Sequence, residues 1–186
     1  MELVMKRPVR FFEVLQKLIP QKGGNIVYEE ENIIEDGFPL SKALEYIAYA
    51  LESDLHGASL YIIDRFFCPN DIAGDTNDCA NALRCWALKY GISSIILYTN
   101  KSANGFPNLC KHTFSALNDA PSFDIKPCEG TVHDRFWIIK RGETYNGIMV
   151  GNSLSGFGKD FTVVCKIDKN DLTSLIDILR LYKIFI

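Results

Sequence analysis

The sequence predicts an α/β domain, a mixed sheet flanked by helices, with a small N-terminal helical extension. Three observations carry this. Two continuously apolar runs, 58–63 and 93–99, are separated by a helical stretch. They read as strand, helix, strand, which implies a right-handed parallel crossover. Between 131 and 167, three further strand-like runs are joined by glycine-containing turns, the pattern of antiparallel hairpins. A final amphipathic stretch, 172–182, suits a helix covering one face of that sheet.

The chain has 186 residues, enough for one domain or for one domain with an appendage. The division expected is an extension over 1–54 and the sheet domain over 55–186. With 47% hydrophobic and 23% charged residues, the chain can bury a real core. The net charge of −3 argues against indiscriminate nucleic-acid binding but leaves room for a local basic groove. Lys126, Arg135, Lys140, Arg141, Lys159 and Lys166 supply charges for one. The six cysteines form no C-x-x-C pair and have no zinc spacing with histidine, so reduced thiols in a cytoplasmic protein are expected. No apolar run approaches the roughly 20 residues of a membrane span, and no signal-peptide core follows the first basic residues.

The elements follow in order. Residues 1–20 show helical spacing at Phe11, Phe12, Leu15, Leu18 and Ile19, ended by Pro20 and Gly23-Gly24. Ile26-Val27-Tyr28 suits a short strand, and Glu29-Glu30-Glu31 reads as a solvated loop rather than a metal site. Ser41 suits the N-cap of a helix to about residue 52, with Leu44, Ile47, Ala48 and Leu51 as its apolar face. The strand 58–63 ends at Asp64-Arg65, where α/β folds place their sites; a local ion pair or a helix cap is the plainer reading. A helix over 78–90 ends at Gly91, the strand 93–99 follows, and 109–117 suits a further helix. A short strand, 123–126, leads to strands at 136–139, 145–150 and 161–167. Asn170-Asp171 suits the cap of the last helix.

Two polar clusters interrupt the apolar text, His133-Asp134-Arg135 and Gly151-Asn152-Ser153. Hairpin-joined strands can bring them to one end of a sheet. A lone strand histidine is usually structural. A histidine, a guanidinium and a Gly-Asn-Ser turn together make a phosphate site: a nucleophile or proton shuttle, a bidentate clamp, and a turn that donates N–H groups and a hydroxyl.

This pattern resembles the phospholipase D-like superfamily, in the branch that writes His-Asp-Arg, then Gly-x-Ser-Leu, then Gly-Lys. Here these are His133-Asp134-Arg135, Gly151-Asn152-Ser153-Leu154 and Gly158-Lys159. The family's aspartate falls at Lys140; Asp134, Glu143 or Asp64 are the carboxylates that could stand in. The family also has an aspartate at the strand end before an aromatic, matched by Asp64 with Phe66 and Phe67. The resemblance implies a phospholipase D-like fold and metal-free, cofactor-free phosphodiester cleavage through a phosphohistidine. His133, Arg135 and Ser153 are then the catalytic residues, with Asn152, Lys159 and Asp64 at the substrate phosphate. One motif per chain implies a symmetric homodimer that pairs two His133 side chains. Nucleic acid, DNA rather than RNA, is the implied substrate, and bacterial defence against foreign DNA the implied setting, with a protein partner conceivable there. The rival is a catalytically degenerate module that binds nucleic acid or a protein partner in a larger complex. A lipid substrate is disfavoured, because no interfacial helix with a basic polar face is present.

Overall fold

The computed structural model describes residues 28–34, 37, 39–51, 54–67, 73–99, 106–116, 119–128, 132–157 and 162–186. Among them lie β1 (Tyr28–Ile34), α1 (Leu40–Leu51), β2 (Ser59–Ile63), α2 (Ala73–Lys89), β3 (Ser94–Thr99) and α3 (Phe106–Ser115). β4 (Ser122–Pro127), β5 (Arg135–Arg141), β6 (Thr144–Val150), a 3-10 turn (Leu154–Gly156), β7 (Thr162–Ile167) and α4 (Lys169–Leu181) follow. The strands form one sheet in the order β1-β7-β6-β5-β2-β3-β4. Strands β2, β3 and β4 run parallel, while β5 pairs antiparallel with β2 and begins an antiparallel half. The protein is thus the mixed α/β sheet flanked by helices that the sequence predicts.

Strands β2 and β3 read as continuous apolar text because both faces of the sheet are covered. On one face, Leu44 and Ile47 of α1, Leu83 and Trp86 of α2, and Cys110 and Phe114 of α3 pack over Leu60, Ile62, Ile95, Leu97, Trp137 and Ile139. On the other, Leu172, Ile176 and Leu179 of α4 pack with Ile63, Tyr98, Phe136 and Ile138. Fully burying one such side chain contributes about 1.5–3 kcal/mol, so the two faces together outweigh any polar pair at the rim. Two glycines make close geometry possible. Gly142, at φ 57, is the first central residue of the two-residue β5–β6 hairpin, where Arg141 pairs with Thr144. A Cβ on Gly147 would lie 2.7 Å from Leu172 Cδ1, so glycine there lets α4 approach β6.

Some expectations shift. Residues 28–51, expected within a helical extension, contribute β1 to the sheet edge and α1 to the core of the first face. The acidic run 29–31 lies in β1, not in a loop; an edge strand tolerates charges that a central strand could not bury. Helix α1 starts one residue before Ser41, with the Pro39 carbonyl accepting from the Lys42 and Ala43 N–H groups. Helix α2 begins at Ala73, not at 78; weak helix formers are tolerated in a first turn when Leu83 and Trp86 anchor the rest. The cap of α4 is Asp168, whose carboxylate accepts from the Asn170 N–H at 2.8 Å, not Asn170-Asp171. The helix expected over 1–20 lies outside the described residues.

Candidate functional site

The alternation of strand side chains brings the polar residues together. Leu60 and Ile62 of β2 face the core under α1–α3, and two residues further on stands Asp64. Ile139 and Trp137 of β5 face that same core, and Arg135 is next in their row. Ile148 and Val150 of β6 lead likewise to Asn152. Because β5 is antiparallel to both β2 and β6, the start of β5 adjoins the ends of its two neighbours. Three apolar rows on one face therefore finish in three polar residues at one end of the sheet. The loop after β6 is fixed there by buried Leu154 and Phe157, the latter ring 6.1 Å from that of Trp137.

Arg135 is the hub. Its Nε donates to Ser153 Oγ at 3.0 Å, and its Nη1 donates to the Gly151 carbonyl at 3.0 Å. Its Nε also lies 3.4 Å from Asp64 Oδ1. Asp64 is 1% exposed, and the same oxygen accepts the Phe66 N–H at 2.9 Å, an Asx turn that closes the end of β2. Burial pushes the Asp64 carboxyl above the usual carboxylate range, opposed by hydrogen bonds from Ser153 and the Phe66 N–H and by the Arg135 charge. Ser153 thus accepts from the guanidinium, and its hydroxyl works with the Phe66 N–H against the effect of burial on Asp64. These contacts fix the plane of the guanidinium through Nε and Nη1, and Nη2 keeps donors for an outside anion.

The predicted site residues do not all enter this network. Asn152 is half-buried beside it, and its Nδ2 donates to Thr162 Oγ1 at 3.0 Å. His133 is exposed at the same sheet end, two residues before Arg135, with no hydrogen bond or ion pair to the described residues. Lys159 lies outside the described residues. Asp64 turns its carboxylate to Arg135, Ser153 and the Phe66 N–H; at 1% exposure it offers no surface to a phosphate. Lys140 pairs with Ser59 at the start of β2, five residues along β5 from Arg135, so it stands at the opposite end of the sheet. Tyr145 faces it there, with Lys140 Nζ 5.3 Å from the ring centroid. Glu143 is in the hairpin at that far end too, and Asp134 is exposed. Of the carboxylates that could stand in for the family aspartate, Asp64 is the one in the network, and it meets Arg135, not His133.

The basic residues that cluster in sequence are divided by the fold. Lys126 is next to last in β4, while Lys140 and Arg141 lie at the far end of β5, with Arg141 bonded to Asp54. Thr162, fully buried against Asn152, is a participant that sequence reasoning missed. Its signal was a hydroxyl at the head of a strand that continues Val-Val-Cys. Among the described residues, no group of three or more His, Cys, Asp or Glu side chains is placed to hold a metal ion. No described helix is long and apolar enough to cross a membrane.

No protein-family model matches the chain, and no curated protein matches it. Its fold is similar to parts of solved structures. One is polyphosphate kinase from Porphyromonas gingivalis, at 10% identity and a TM-score of 0.48, covering 92% of this chain and 24% of that one. Another is TrmBL2, an archaeal chromatin protein with a novel mode of DNA binding, at 10% identity and a TM-score of 0.42, covering 92% of this chain and 57% of that one. The chain therefore spans about a quarter of the first and rather more than half of the second.

Proposed function

We propose that the chain is a phospholipase D-like, metal-independent phosphodiesterase that cleaves nucleic acid. The observation that supports this most directly is the buttressed guanidinium of Arg135, with exposed His133 two residues upstream at the same sheet end. In this reading Arg135 holds two phosphate oxygens, and the Asn152-Ser153 turn contributes further donors. An imidazole nitrogen of His133 attacks phosphorus. The new P–N bond forms as the P–O bond to the leaving nucleotide breaks, and a second His133, from a two-fold related copy, protonates the departing oxygen. Water then cleaves the P–N bond. Asp64 acts as a positioning residue: it orients Arg135 and does not touch the phosphate. The same reading places the protein in the cytoplasm, with foreign DNA as target in a defence role.

The test is cleavage of single- and double-stranded DNA and RNA in EDTA, by wild type and His133→Ala in parallel, with sedimentation of both. Cleavage that survives chelation, disappears in His133→Ala and accompanies a dimer is the expected result. Cleavage abolished by EDTA, or retained by His133→Ala, would overturn the mechanism. Binding without cleavage by wild type would favour the degenerate module, a reading consistent with the absence of any carboxylate on His133 among the described residues.

A further inference from the structure

Phe66 is an aromatic side chain held in solvent beside the guanidinium hub. It is 48% exposed, whereas its neighbour Phe67 is wholly buried. The Phe66 N–H and Arg135 Nε both meet Asp64 Oδ1, at 2.9 and 3.4 Å. Backbone and guanidinium are therefore no farther apart than those two contacts laid end to end. The turn is also pinned at Arg65, whose carbonyl accepts from Thr99 Oγ1 at 3.2 Å. The Arg65 guanidinium carbon lies 5.4 Å from the Phe66 ring centroid. An exposed ring beside the Arg65 cation and next to a phosphate clamp satisfies the two demands of an unpaired strand. Its phosphates need positive charge, and its bases need a π surface to replace the stacking they have lost.

We propose that Phe66 is a stacking platform for an unpaired base adjoining the phosphate held by Arg135, so that the substrate class is single-stranded nucleic acid. The proposal rests on the phosphodiester reading above and specifies its substrate. In a duplex both faces of each base are covered by its neighbours, so a fixed ring at this position can be met only by an unstacked base. Every base has a π face, so this recognition is tolerant of sequence. Arg65 holds the ring in place as a positioning residue.

The test uses the full chain carrying His133→Ala, in EDTA, with fluorescence anisotropy as readout. The probes are a fluorescein-labelled oligothymidylate, an abasic phosphodiester strand of equal length and charge, and a duplex of that length. Phe66→Ala and Phe66→Leu should each weaken oligothymidylate binding about ten-fold. Phe66→Trp should bind at least as well as phenylalanine, and all of them should bind the abasic strand equally. Equal losses on both strands, no loss on either, or leucine performing as well as phenylalanine would overturn the platform. Preference for the duplex would overturn it too. If the parent chain binds both strands with affinity that falls steeply on added salt while Phe66→Ala affects neither, the phosphodiester reading stands and the platform alone is lost. If the parent chain binds none of the probes, both fall together.

Discussion

Strand β5 carries an arginine at each end, and each meets an aspartate from before or after β2. Arg141 touches Asp54 at 2.5 Å, with side chains 52% and 61% exposed. Arg135 stands 3.4 Å from Asp64, with side chains 24% and 1% exposed. The shorter contact is the less consequential one. Water screens the Arg141 pair, and both partners can be solvated if it opens. Asp64 has no such refuge, so losing Arg135 leaves a buried carboxylate with no opposing charge, only the Phe66 N–H and the Ser153 hydroxyl. Distance identifies a contact; burial decides what depends on it.

Replacing Arg135 should have the largest effect. Arg135→Ala is expected to cost about 3–5 kcal/mol of stability at neutral pH, measured by urea unfolding. Asp64→Asn should cost less, because the freed guanidinium can reach solvent. Equal losses from the two variants would break the claim that the buried carboxylate is the dependent partner.

The two ends should also differ in the sign of their pH response, an intermediate effect. Burial raises the Asp64 carboxyl, so its contribution to stability is present in acid and declines as pH rises through the raised value. The His56 N–H, with Arg141 as a further contributor, holds the Asp54 carboxyl below its ordinary range. Its contribution is present at neutral pH and is lost on acidification. Unfolding measured between about pH 4 and 8 should therefore show Asp64→Asn gaining on wild type as pH rises. Asp54→Asn should instead fall behind wild type on the acid side, as pH rises through about 2 to 4, and track it above that. Parallel curves for the two variants would remove the distinction. The smallest effect is expected at the far end: Arg141→Ala should leave the melting temperature within experimental scatter, and a loss approaching that of Arg135→Ala would contradict the comparison.

These ends were not equally legible in the sequence. The strand–helix–strand of 58–99 and the hairpins of 136–167 could be read because buried strands are continuous apolar runs and turns carry glycine. The grouping of Asp64, Arg135 and the Asn152-Ser153 turn was also visible, since each polar cluster interrupts or follows such a run. What each residue does there was not. Whether Asp64 faces a ligand or a partner depends on the β2–β5 register and on burial, and neither is local. Lys140 illustrates the same limit: it is close to Arg135 in sequence, yet the rise of an extended strand carries it to the other end of the sheet. Of the β1 edge strand only its first residue, Tyr28, fell in an expected strand, because the acidic run that follows has the composition of a loop and only pairing with β7 gives it a partner.

The pairing of β2 with β5 has a consequence for assembly. Strands β2, β3 and β4 follow one another in the chain and can associate through short crossovers, whereas Arg135 is supplied by a strand that arrives after all of them. A form with the parallel half built and β5 undocked holds Asp64 without its guanidinium. In that form Arg135 and Ser153, which close the sheet end over Asp64, are not yet in place. The long-range β2–β5 contact that slows the search is therefore also the one that completes the sheet end and supplies Asp64 with its partner.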